Sequence, residues 1–173
     1  LDVTVGKIAK RAGISPALAF HYFGDKTSLF LAAMRHLMTS YRREIGERLR
    51  AADGPRARAE AVARASFSPQ NFSRGSVAAW LNFYVLAQSS PEARRLLAIY
   101  HARLNSNLRH ALRPLLGDEA AGVADRIGSL IDGLYLRAAL GDRTDADEAE
   151  RKIIASDAGM RIREMRKQLE EAM

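Results

Sequence analysis

The sequence predicts an all-α protein built as a small basic N-terminal domain, residues 1–46, and a larger helical domain, residues 47–173. Three observations carry this. Apolar residues recur at helical three- and four-residue spacing along nearly the whole chain, and no stretch alternates strictly with β-branched residues as a strand would. The periodic segments are cut at Gly, Pro and Ser/Asp, the residues that stop and start helices. Charge is uneven: the formal net charge is +7, and residues 1–50 carry +5 of it, from nine Lys/Arg against four Asp/Glu. Apolar content of 47% supports a sizeable core. There is no Cys, so disulfides and thiolate metal sites are excluded, which fits a reducing, cytoplasmic setting. No run reaches membrane-span length and no signal-peptide pattern opens the chain.

Thr4 to Lys26 reads as two short helices around a sharp turn. Val5, Ile8, Ala9 and Ala12 predict one apolar face on the first. Gly13 follows, where the chain reverses and a residue without Cβ takes φ > 0 freely. Ser15 stands at an N-cap position with Pro16 at the first helical position. The second helix, Pro16 to about Phe23, is expected to turn Leu18, Ala19 and Tyr22 inward, and small Ala9 allows close approach. A plain αα-hairpin would share this pattern. Lys7, Lys10 and Arg11 on the first helix and Lys26 beyond the second tip the reading to a DNA-reading helix-turn-helix.

The next helix is predicted from Ser28 to about Arg50, capped by Asp25 or Thr27, with Leu29, Phe30, Ala33, Leu37, Tyr41, Ile45 and Leu49 on one stripe. Asp53-Gly54-Pro55 ends it. Pro55 to Phe67 is Ala- and Arg-rich with a thin aliphatic side. Ser68 to Asn71 is a loop. Val77 to about Gln88 carries Trp80, Leu81, Phe83, Tyr84 and Leu86, with Ser73 as a possible cap. Ser90 and Pro91 start a helix through Leu96, Tyr100, Leu104, Leu108 and Leu112 to about Leu115. Asp118 to Ala139 is the most apolar segment. Gly122, Gly128 and Gly133 inside it each cost about 1 kcal/mol relative to Ala, and point to close approach by another helix. A last helix begins near Ala146, with acidic residues favourably placed at its start, and is expected to continue through Ile153, Met160, Ile162 and Met165 to Leu169, bending near Gly159.

The run IAKRAGIS–PALAFHYFGDKTSLF resembles the operator-binding segment of TetR-type transcriptional regulators, through Ile8-Ala9, Ala12-Gly13-Ile14-Ser15, Tyr22-Phe23, Lys26 and Leu29. The stretches AAWLNFYVLA, RLNSNLRHAL and LIDGLYLRAAL resemble the ligand domain of one branch, the BetI-type choline-responsive repressors of glycine-betaine synthesis. The resemblance implies a homodimeric repressor of double-stranded operator DNA, released by a small effector, with choline or a related quaternary ammonium as the expected one. Family members carry one more helix ahead of the first seen here. The chain opens at Leu1 instead, so an upstream piece is expected to be missing.

Direct readout needs outward side chains near the start of the second helix. Ser15, Pro16, Ala17, Phe20 and His21 are the exposed choices, with Ala17 and Phe20 suited to thymine methyls. Tyr22 and Lys26 match family positions that hold phosphates, and Thr4 can present its hydroxyl and backbone N–H to one. Effector binding is expected of Trp80, Phe83, Tyr84, Tyr100, Asp132 and Tyr135. Ring faces attract a quaternary ammonium by ~0.5–2 kcal/mol apiece and Asp132 offsets its charge. Aromatics at helical spacing form ordinary core equally well, and Asp132 beside Gly133 also suits a dimer interface. A two-fold dimer is expected, because one head reads half a site and paired heads must stand about 34–36 Å apart. Ile127, Leu130, Leu134 and Ile153 are the expected seam. No cofactor or metal set is visible, and no nucleophile-elbow, zincin or phosphate-loop motif supports an enzyme. The rival readings are a regulator of this type sensing another small apolar or cationic molecule and, outside the class, a helical scaffold or enzyme that binds no DNA.

Overall fold

The computed structural model describes residues 4–141 and 145–155. Among these residues there are helices and turns and no strand. Packing divides the chain into Leu1–Thr39 and Ser40–Met173. The division falls within one helix, seven residues ahead of the expected 46/47 boundary.

The first unit holds α1 (Val5–Arg11), α2 (Pro16–Phe23) and the opening of α3 (Lys26–Ala51). Its helix starts are capped by side chains. Thr4 Oγ1 accepts from the Lys7 N–H at 3.2 Å and Ser15 Oγ from the Leu18 N–H at 3.1 Å. Asp25 Oδ1 accepts from the Ser28 N–H at 2.7 Å, so Asp25 and not Thr27 caps α3, which starts two residues earlier than expected. Those same bonds hold the Asp25 carboxyl below the ordinary carboxylate range. The α1–α2 reversal uses Gly13 at φ 71°, and the Ile14 N–H returns to the Ala9 carbonyl at 3.0 Å. Val5, Ala9 and Ala19 are buried together with Leu29 against them. Ala9 and Ala19 carry only a methyl, which lets the two helices close on each other.

Two inward assignments for this unit do not hold. Leu18 is 43% and Tyr22 72% exposed, leaving Ala19 as the buried residue of α2. On α1, Ile8 and Ala12 line a groove with Lys7 and Arg11 instead of joining the core. The shared face is narrow because the two helices are seven and eight residues long, and each buries one or two side chains.

The second unit takes the rest of α3 with α4 (Gly54–Ser66), α5 (Arg74–Ser89), α6 (Pro91–Leu116), a 3₁₀ turn (Gly117–Glu119), α7 (Ala120–Ala139) and α8 (Ala146–Ala155). Helix α6 packs on α7, α4 and α5, α5 also packs on α7, and α8 lies on α4 and α7. Ser73 and Ser90 cap α5 and α6 through the Ser76 and Ala93 N–H groups. Val62, Phe83, Leu108, Leu112, Val123 and Ile131 are fully buried, each contributing about 1.5–3 kcal/mol of transfer free energy relative to exposure. The thin face of α4 packs closely, with Ala59, Val62, Ala63 and Phe67 all buried. Helix α7 begins at Ala120, because Gly117 (φ 52°) diverts residues 117–119 into the 3₁₀ turn.

The α7 glycines show no tight approach within the chain. A Cβ at Gly128 would meet Leu104 Cδ2 at 3.9 Å, at Gly122 only the flexible end of Arg126, and at Gly133 nothing within 4 Å. The expected stretch of the last helix through Met160 to Leu169, with its bend at Gly159, lies outside the described residues. No helix among the described residues is long and apolar enough to cross a membrane.

Candidate functional site

Two sets of residues carry chemistry, one in each unit. In the first unit, Thr4, Ser15, Pro16, Ala17, Phe20, His21, Tyr22 and Lys26 are all exposed. The Thr4 and Ser15 hydroxyl oxygens each accept a helix N–H, which leaves their O–H groups to donate outward. Pro16 fixes the first turn of α2, so Ala17, Phe20 and His21 project from a rigid start. Phe20 is 51% exposed, so its ring is open to contact. The His21 and Tyr22 rings meet edge to face at 5.5 Å. Lys7, Lys10 and Arg11 are exposed on α1. An exposed ring and hydroxyls beside clustered cations suit a polyanion with readable base edges.

In the second unit, α5, α6 and α7 converge on one aromatic cluster. Trp80 lies 4.4 Å from Tyr100, 5.9 Å from Tyr84 and 6.3 Å from Tyr135, ring centre to ring centre. Phe83 meets Trp80 edge-on at 5.9 Å and is fully buried, so it backs the cluster from the core side. Asp132 adjoins it: the Tyr84 hydroxyl donates to Asp132 Oδ1 at 3.0 Å, and His101 Nε2 lies 3.0 Å from Asp132 Oδ2. The expected residues Trp80, Phe83, Tyr84, Tyr100, Asp132 and Tyr135 are therefore brought together.

Residues outside the expected set complete the site. Tyr41 of α3 lies 6.0 Å from Tyr100, and its hydroxyl pairs with Ser66 Oγ at 3.0 Å. The Tyr135 hydroxyl donates to the backbone carbonyls of Ser66 (2.6 Å) and Asn71 (3.0 Å). Asn71 Nδ2 donates to Glu44 Oε2 and the Ala65 carbonyl, both at 2.8 Å, and Ser68 Oγ donates to Glu44 Oε2. Phe67 and Phe72 pack on the Tyr135 ring at 6.0 and 5.0 Å. Burial pushes the Tyr41 phenol up to about 12, against the opposing pull of its Ser66 bond. Burial likewise raises Tyr84, Tyr100 and Tyr135, and the Asp132 charge adds to each. These hydroxyls stay protonated, and those of Tyr84 and Tyr135 donate, to Asp132 and to the Ser66 and Asn71 carbonyls. In the sequence Tyr41 reads as one more apolar stripe residue, while Glu44, Ser66 and Asn71 give no periodic signal.

The four expected seam residues differ in exposure. Ile127, Leu134 and Ile153 are 6%, 4% and 4% exposed and lie buried within the chain. Leu130 alone of the four is part-exposed. Outward apolar surface is carried by Leu136 of α7, 43% exposed, and by Leu140 at its C-cap, 72% exposed. No group of three or more His, Asp or Glu placed to hold a metal occurs among the described residues.

Residues 1–33 match the family model of bacterial regulatory proteins of the tetR family, and residues 55–157 match that of the BetI-type transcriptional repressor C-terminal domain. The chain is 53% identical over 146 residues to the HTH-type transcriptional regulator BetI of Brucella anthropi, covering 82% of this chain and 73% of that one. Its fold is shared with a transcriptional regulator from Rhodococcus sp. Rha1, with a TM-score of 0.77 and 22% identity over 95% of this chain and 86% of that chain. It is also shared with a putative regulator from Saccharomonospora viridis in complex with choline, with a TM-score of 0.74 and 22% identity over 90% and 86%. The head with its exposed α2 and the convergent helical unit that follows it in sequence are thus those of a DNA-binding transcriptional repressor and not of an enzyme, and the chain belongs to the TetR family, with a BetI-type repressor domain at its C-terminal side.

Proposed function

We propose that the protein is a homodimeric, cytoplasmic repressor of glycine-betaine synthesis that leaves its operator when choline or a close quaternary ammonium binds the second unit. The observation that carries this reading is the convergence of Trp80, Tyr84, Tyr100 and Tyr135 with the Asp132 carboxylate. Ring faces and a carboxylate are what a cation that cannot donate hydrogen bonds requires. Trp80 and Tyr100 are in contact at 4.4 Å, too close for an ammonium group between them, so binding parts these rings. That gives the effector a differential affinity for an opened arrangement, and only differential affinity shifts an equilibrium. Tyr100 packs on Tyr41 of α3, and α3 is continuous with the head. In the dimer the opened arrangement mis-spaces the two heads and operator affinity falls.

Within the head, Ser15, Pro16, Ala17, Phe20 and His21 are assigned to bases, and Thr4, Tyr22 and Lys26 to phosphates. The dimer seam is assigned to the outward face of α7, through Leu130, Gly133 and Leu136. Open space around Gly133 inside a helix, at a cost of about 1 kcal/mol, is accounted for by a partner helix.

The test is titration of the operator complex with choline. Release at or below millimolar choline supports the reading, and retention of the complex at millimolar choline defeats it. The alternative is a TetR-type regulator sensing another small apolar molecule, favoured by Phe67 and Phe72 packed beside Tyr135. Release by an uncharged aromatic compound with no response to choline would select it.

A further inference from the structure

Asp132 stands between donors from two other helices. Tyr84 on α5 gives Oδ1 a well-formed bond at 3.0 Å. His101 on α6 brings Nε2 equally close to Oδ2, but the nitrogen is buried and off the line that a hydrogen bond needs. It has lost water without gaining a full partner, a state that disfavours the apo arrangement. The locality is still reachable, since the His101 and Asp132 side chains are 44% and 30% exposed. It also borders the rings: Tyr84 lies 5.9 Å from Trp80, and the His101 ring 5.5 Å from Tyr100. A group that completes this pair must accept from an imidazole N–H and donate to a carboxylate. One hydroxyl does both through a single oxygen. A methyl group does neither, and a second carboxylate cannot donate and is repelled by Asp132.

We propose that His101 is a specificity-determining residue of the effector site, which reads with Asp132 the hydroxyl of a quaternary-ammonium alcohol whose cationic head lies against Trp80 and Tyr100. This rests on the effector reading above and adds that the site selects the alcohol and not the cation alone.

Calorimetric titration of the full chain with choline, with its hydroxyl-free isostere propyltrimethylammonium and with glycine betaine tests it. The native chain is expected to bind choline at least about tenfold more tightly than either of the others, the scale on which a hydrogen-bonding site rejects an analogue lacking the group. His101→Leu is expected to lower choline to the level of the isostere while isostere binding stays within about threefold, a change of under 1 kcal/mol. His101→Gln keeps a donor and is expected to retain part of the preference. His101→Ala runs beside them, so that the loss is read from whichever apolar variant keeps its native circular dichroism. Equal binding of choline and isostere by the native chain, or an undiminished preference in the apolar variants, overturns the hydroxyl reading and leaves the cation site standing. Binding of none of the quaternary compounds overturns the effector reading itself, and this inference with it.

Discussion

The first unit exposes its chemistry, whereas the second largely buries it. The head buries Val5, Ala9, Ala19, Leu31 and Met34, with Leu29 partly buried, and leaves Phe20, His21 and Tyr22 in the open. The second unit buries or half-buries its aromatic residues and ties their hydroxyls to Ser66, Asn71 and Asp132. A surface reader needs side chains that already point outward from a rigid start, which caps at Thr4, Ser15 and Asp25 supply. A sensing interior needs groups whose contacts change when something enters. Buried hydroxyls on carbonyls and carboxylates meet that need, since a lost bond there is not replaced by water.

The contrast is broken most severely by alkali. Tyr41 titrates near 10.0 when unfolded and is pushed up to about 12 in the folded unit, and Tyr84, Tyr100 and Tyr135 are raised with it. Stability from these groups is fully present below pH 10 and is lost as pH rises toward and through the folded values, because the unfolded chain releases the protons first. Each contributes a fall of at most about 1.4 kcal/mol per pH unit, so unfolding is expected before pH 12. Tyrosinate absorbance followed alongside circular dichroism checks it, and ionisation of these four at pH 10 in a folded chain would refute it.

Removing ring volume is the next largest effect. Phe83→Ala should cost about 3–5 kcal/mol in denaturant unfolding, because Phe83 is fully buried behind Trp80. A loss under 1 kcal/mol would mean that the cluster collapses into the space and is not a preformed site.

Tyr135→Phe keeps the ring and removes one hydroxyl. Two carbonyls, Ser66 and Asn71, then lose a donor, and about 1–3 kcal/mol of stability should go with it. An unchanged midpoint in urea would show that the hydroxyl is dispensable.

Phe20→Ala marks the other pole. Its ring is 51% exposed, so unfolding should shift by no more than about 0.5 kcal/mol, while operator binding weakens by about 1–3 kcal/mol. Lys26→Ala should instead weaken binding to all duplexes alike and reduce the salt slope by about one. If Phe20→Ala unfolds the head and spares nothing for DNA, the ring is structural and the contrast between units fails.

Much of the head is legible in the sequence because its determinants are local. Caps, a glycine at a reversal and cations on a short helix act within four residues, and Ser15, Pro16 and Gly13 do what their chemistry requires. Leu18 and Tyr22 were misassigned inward for the same local reason: periodicity tells which residues share a face, not how wide a face the neighbour covers. In the second unit Trp80, Tyr84 and Asp132 were legible as chemistry, and Tyr84 does reach Asp132 from 48 positions away. Glu44, Asn71 and His101 were not, because a polar residue shows its role only through a partner distant in sequence. Ile127 and Leu134 are buried within the chain's own helical unit, because a sequence stripe tells that residues share an apolar face and not what covers it.

By itself the sequence determined the helices, their ends, the basic head and its family, since hydrophobic period, capping and charge are properties of neighbouring residues. Only the tertiary structure decided that Tyr41, Ser66, Asn71 and Tyr135 form one bonded network, that Trp80 and Tyr100 lie in contact, and that His101 stands 3.0 Å from Asp132 without a full bond. Those facts depend on how helices far apart in sequence cross, and crossing is set by the shapes of whole packed faces, which no single segment carries.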